Sequence, residues 1–107
     1  MNEPHPRRKL DEVIHSPVRL SVMAVLATTS EADFRYVKDI VEVSDSLLSK
    51  HVAVLNTAGY VRIVKGVSDN RPVTWLSLTE TGAEAYREYV RTLNRIIGGK
   101  EAPGDAR

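Results

Sequence analysis

The chain has 107 residues, 42% of them apolar and 27% charged, with a formal net charge of +1 and no cysteine. That length suits one domain with a modest but sufficient core, and the missing cysteines exclude disulfides and thiolate metal sites. No apolar run approaches the ~20 residues that cross a bilayer, and the basic N-terminus lacks a signal peptide's apolar stretch, so a cytoplasmic protein without a membrane partner is expected.

Residues 1–8 hold two prolines and the pair Arg7 and Arg8, and read as a flexible basic arm. Leu10, Val13 and Ile14 recur at helical spacing, which predicts a short first helix over about 9–15. Ser16-Pro17 is a start signal: serine caps free N–H groups, and proline at the first helical position gives up no hydrogen bond. The second helix carries Val18, Leu20, Val22, Met23, Val25 and Leu26, so it is apolar nearly all round and belongs at the centre of the core. Thr28 to Ala32 is a polar connection, and a very short strand is expected near Thr28–Asp33. Asp33 can cap a third helix with Phe34, Val37, Ile40 and Val41 on its apolar side.

Val43-Ser44-Asp45 reads as a turn, with Ser44 capping a fourth helix over 45–58. Leu48, Val52 and Leu55 fall at i, i+4 and i+7, one buried stripe. Gly59 is the stop, where a left-handed residue closes a helix at least cost. Tyr60–Val67 and Val73–Leu78 read as strands joined by the turn cluster Ser68–Pro72. In the return strand Leu76 and Leu78 share one face, Trp75 and Ser77 the other. Thr79 caps a last helix over 80–97, whose stripe is Tyr86, Tyr89, Val90, Leu93, Ile96 and Ile97. Gly98-Gly99 ends it, and 99–107 is a polar tail.

Two short helices, a glycine stop and a hairpin expose one helix and one loop on the same side of a small domain. That geometry suits a helix in a DNA major groove with a loop beside it on the backbone. The fourth helix is the reader, because short polar side chains near its N-terminus let the backbone approach base edges. Ser46, Ser49 and Lys50 face outward there. Ser44 sits where it can donate to a phosphate, and Leu47 where it can meet a thymine methyl. The blander alternative is that Ser44 and Ser46 only cap and Lys50 is solvated. His51 precedes core residue Val52 and is expected half-buried against the turn rather than on a base.

The segments SDSLLSKHVAVLNTAGYV (Ser44–Val61), NRPVTWLSLTETG (Asn70–Gly82) and SPVRLSVMAVL (Ser16–Leu26) resemble the MarR/ArsR-like winged-helix transcriptional regulators, in particular the small chains that hold little beyond the winged domain and a C-terminal helix. The resemblance spans roughly residues 10–97. It implies an α+β, mostly α fold, a winged helix-turn-helix in the order α-α-α-α-β-β-α, as one domain over 9–98. It also implies a homodimer that binds double-stranded DNA at a pseudo-palindromic operator and usually represses transcription.

In that frame the wing runs from Lys65 to Val73. Lys65, Asn70 and Arg71 are its candidate DNA contacts, with Arg71 placed for a minor groove or a phosphate. Leu10, Ile14, Tyr86, Tyr89, Leu93, Ile96 and Ile97 are expected to form a two-fold seam that spaces two reading helices by about one duplex turn, ~34 Å. The alternative is that the last helix folds back on its own domain.

His5, His15 and His51 share no ligand spacing, and the paired acidic, histidine or cysteine patterns of metal-sensing relatives are missing, so no metal and no cofactor is expected. A small-molecule effector would have to bind at the seam, since the chain leaves little room elsewhere. There is no phosphate loop, no nucleophile elbow and no gathered catalytic set, so the chain is not read as an enzyme. The rival function is a winged-helix module that binds a protein instead of DNA. Residues 35–75 carry six basic against four acidic side chains, a weak basic footprint that keeps this rival open.

Overall fold

The computed structural model describes residues 3–98. A 3-10 turn, Pro6–Lys9, leads into helix α1 (Pro17–Leu26), strand β1 (Ala32–Asp33), helices α2 (Phe34–Val41) and α3 (Asp45–Thr57), strands β2 (Val61–Ser68) and β3 (Arg71–Leu78), and helix α4 (Glu80–Ile97). The three strands form one antiparallel sheet in the order β1-β3-β2. This is the winged helix-turn-helix expected, mostly helical with a hairpin wing. The tail 99–107, including Gly99, lies outside the described residues.

The leading α-helix is a correction. The Asp11 carboxylate accepts hydrogen bonds from the N–H groups of Val13, at 2.8 Å, and Ile14, at 3.4 Å. Such a local side-chain turn competes with helix, and a seven-residue segment cannot offset the cost of nucleation. The 3-10 turn Pro6–Lys9 packs against α4.

The helix starts follow the caps read from sequence. Ser16, Asp33, Ser44 and Thr79 each accept from a backbone N–H in the first turn of α1, α2, α3 and α4. Helix α3 ends as a Schellman motif. Gly59, at φ 84, donates to the Asn56 carbonyl and Tyr60 to the Leu55 carbonyl, both at 2.9 Å. The core joins Ile14, Val22, Met23, Leu26, Val37, Leu48, Val52, Leu55, Val61, Leu76 and Tyr89. In α2 the inward positions are Phe34, Val37 and Val41, and Ile40 is exposed at the edge of that stripe, against expectation.

The wing is tighter than its sequence suggested. Asp69 and Asn70 have φ 53 and φ 62, the two left-handed residues of a type I′ turn. The ladder therefore continues to Ser68 opposite Arg71, and the connection is two residues rather than five.

Candidate nucleic-acid interface

Helix α3 divides cleanly. Leu48, Val52 and Leu55 are 0%, 3% and 0% exposed, pinned under α1 and β2. Ser44, Ser46, Leu47, Ser49 and Lys50 are all exposed. One helix face is fully committed to the core, and the opposite face carries hydroxyls, a methyl-rich side chain and an ammonium. The Ser44 hydroxyl accepts from Leu47 N–H at 3.1 Å, so it caps, and it lies 3.4 Å from the Ser46 hydroxyl.

A cleft of about 970 Å³ opens between this face and the wing, lined by α2, the start of α3 and the hairpin tip. Ser49 and Arg71 both line it, so the structure brings one sequence candidate from α3 and one from the wing to one concavity. Lys65 is exposed on β2 and lines an adjoining groove with Ser49 and Thr74. Asn70 is exposed at the turn apex. Lys50 is exposed on α3 but lines neither the cleft nor that groove.

Arg35, Lys38 and Thr74 also line these concavities and were not among the sequence candidates. Their signal was weak, because Arg35 and Lys38 look like ordinary solvent positions of α2. The packing of α2 against β3 is what places them at the cleft. Lys38 Nζ lies 3.1 Å from the Asp45 carboxylate. That pair joins α2 to the start of α3 and offsets the Asp45 charge on this surface.

His51 sits behind this face, half-buried as expected. Arg19 on α1 donates through Nη1 to His51 Nδ1 at 3.0 Å and through Nε to the Val13 carbonyl. A guanidinium only donates, so Nδ1 must be the acceptor and the imidazole proton sits on Nε2. Burial, then the Arg19 and Lys50 charges, push the His51 pKa below its usual 6.5. The contact therefore orients α3 on α1 and weakens as pH falls through that lowered pKa.

The expected seam separates into two groups. Ile14 and Tyr89 are 0% and 3% exposed in the protomer's own core, so neither is available to a partner. The 3-10 turn packs on α4, and His15 Nδ1 lies 2.8 Å from the Tyr89 hydroxyl. Leu10, Tyr86, Leu93 and Ile96 are half-buried, and Ile97 is exposed at the end of α4. Trp75 stands opposite Asp33 and Val64 in the sheet and lines a shallow groove with Val25 and Tyr36. Among the described residues no helix is long and apolar enough to cross a membrane.

The sequence matches the winged helix DNA-binding domain family over residues 18–97. It is 28% identical over 79 residues to an uncharacterised protein of Methanocaldococcus jannaschii, covering 74% of this chain and 86% of that one. Its fold superposes on a transcriptional regulator homologue from Pyrococcus horikoshii with a TM-score of 0.78 and 28% identity, over 83% of this chain and 88% of that one. A MarR-family transcriptional regulator from Silicibacter pomeroyi shares the fold at a TM-score of 0.60 and 20% identity, over 92% of this chain and 68% of that one.

Proposed function

This chain belongs to the winged helix DNA-binding domain family, and from that we propose that it regulates transcription as a homodimer bound to a pseudo-palindromic operator. In this reading α3 enters a major groove about 12 Å wide. Ser46 and Ser49 approach base edges, Leu47 meets a thymine methyl, and Ser44 and Lys50 hold phosphates. Lys65, Asn70 and Arg71 of the wing lie along the flanking backbone. Occupying the operator would exclude polymerase, which makes repression the simplest outcome.

The observation that carries this reading is the two-sidedness of α3, with its polar side open beside the wing-tip cleft. A helix held this rigidly on one side can present side chains to a groove without reorganising. The three carboxylates in the cleft, Asp33, Asp45 and Asp69, weaken attraction to phosphates. Affinity then depends on two subunits binding together.

The test is an anisotropy titration on genomic fragments at several salt concentrations. Binding to a subset of fragments should weaken with salt, because each neutralised phosphate releases counterions. The double variant Lys50→Ala/Arg71→Ala should keep its fold by circular dichroism. Its log–log salt slope should fall by about 0.9 for each phosphate that the variant no longer neutralises. An unchanged slope and affinity would remove these residues from the interface. Failure to bind any fragment at low salt would favour the protein-binding module instead.

A further inference from the structure

The wing tip carries an apolar pair on an otherwise polar loop. Val67 is 74% exposed and lies outside the hydrophobic core and everything packed on it. Its cross-strand partner is Pro72, also exposed. The turn determines how they meet. Ser68 and Arg71 flank the two-residue loop as its hydrogen-bonded closing pair. Val67 and Pro72 then form the next, non-hydrogen-bonded pair, where side chains approach most closely. Proline at that position gives up no ladder bond.

Strand alternation assigns the faces. Val67 and Pro72 share the sheet face that carries Lys65 opposite Thr74 and, lower down, Ile63 opposite Leu76. Ile63, Lys65, Thr74 and Leu76 line the groove against Ser49, Val52 and Ala53 of α3, so this is the face turned to the reading helix. Ser68 and Arg71 stand on the other face. The tip therefore sets an aliphatic pair on the face turned to α3, while Arg71 lines the same cleft as Pro72 and Ser49. Two exposed aliphatic side chains there contribute little to folding.

We infer that Val67 and Pro72 pack against the minor groove beside the helix-bound major groove and select A·T over G·C pairs there. The inference rests on the DNA-binding reading above. Its chemical basis is the groove floor. A·T pairs present only acceptors, whereas G·C adds the guanine N2 amino donor. An aliphatic pair offers no acceptor, so a guanine amino group brought against it loses water and stays unpaired. A·T-rich grooves are also narrow and strongly negative, which suits Arg71 beside the pair and Lys65 along the strand. The Asp69 carboxylate at the apex disfavours end-on entry, so the tip lies along the groove on its aliphatic flank.

The test uses the unmodified protein and a duplex selected by it from a random-sequence library. The base pairs flanking each half-site are changed from A·T to G·C or to inosine·C, since inosine lacks the N2 amino group. The G·C duplex should bind roughly tenfold more weakly, and inosine·C should restore binding to within about twofold. Val67→Thr supplies an acceptor at the same volume and should shrink the G·C penalty, read as the ratio of the two affinities within that variant, to about threefold or less. Equal binding of the G·C and inosine·C duplexes overturns the inference while leaving the DNA-binding reading intact. So does a selected pool with G·C at the flanks as often as A·T. If no duplex is bound at all, both fall.

Discussion

Tyr60 stands where the N-terminal segment, the end of α3 and the start of α4 meet. Its hydroxyl donates to the Asp11 carboxylate at 2.5 Å, and its carbonyl accepts from Thr79 N–H at 3.0 Å. The other Asp11 oxygen holds the turn at Val13 and Ile14. The hydrogen bond to Asp11, burial and the Asp11 charge push the Tyr60 phenol from 10.0 up to about 12. A folded-state pKa above the unfolded value stabilises the protonated form. The contribution is complete below the unfolded pKa and is lost as pH rises through the folded one. The urea midpoint of the wild type should therefore exceed that of Tyr60→Phe below pH 10.0, and the gap should close toward pH 12. A gap that stays constant across that range would mean the phenol is not held by Asp11. In Asp11→Asn, an ultraviolet titration should return the tyrosine transition toward its ordinary value.

At the scale of elements, two backbone positions decide how α3 is framed. Gly82, in the first turn of α4, crosses the Tyr60 backbone so closely that an added Cβ would lie 2.1 Å from the Tyr60 carbonyl oxygen. That atom is main chain and cannot swing away. Gly82→Ala should cost roughly 2–3 kcal/mol in chemical denaturation, as α4 is forced off the α3–β2 junction. The opposite sign is expected at Glu42, which ends α2 at φ 63. A non-glycine residue in the left-handed region costs roughly 1–2 kcal/mol, and an acidic side chain at a helix C-terminus opposes the dipole. After the extra flexibility of glycine in the unfolded chain, Glu42→Gly should stabilise the protein by about 0.5–1 kcal/mol, seen as a higher denaturant midpoint. The α2–α3 angle would be unchanged, so DNA affinity should hold.

For the whole molecule, the question is what α4 does once its protomer is folded. Tyr89 is spent on the core, while Ile97 remains 73% exposed and Ile96 half-covered at the helix end. Leu10 and Tyr86 add half-buried surface along the same helix and the turn that packs on it. We propose that this end of α4, rather than the whole stripe, forms the two-fold seam. Ile96→Glu/Ile97→Glu should sediment as a monomer with an unchanged circular dichroism spectrum. Its affinity for an operator should fall by at least about a hundredfold as avidity is lost. A dimer that persists in this variant would relocate the seam.

Much of this protein was legible as local chemistry. Ser16, Asp33, Ser44 and Thr79 marked the helix starts, and Leu48, Val52 and Leu55 marked which side of α3 is inside. Those signals are short-range: a cap or a helical stripe acts within a turn or two of itself. The first segment misled because Leu10, Val13 and Ile14 keep helical spacing while Asp11 bonds the backbone that a helix would need. The apolar stripe of α4 announced a buried face but not what buries it, and the folded chain covers Tyr89 with its own His15 and N-terminal turn. The cleft that joins Arg35, Ser49 and Arg71 belongs to three separate elements. Its shape follows from how α2, α3 and the hairpin pack on one core, which is a property of the assembled chain rather than of any stretch of residues along it.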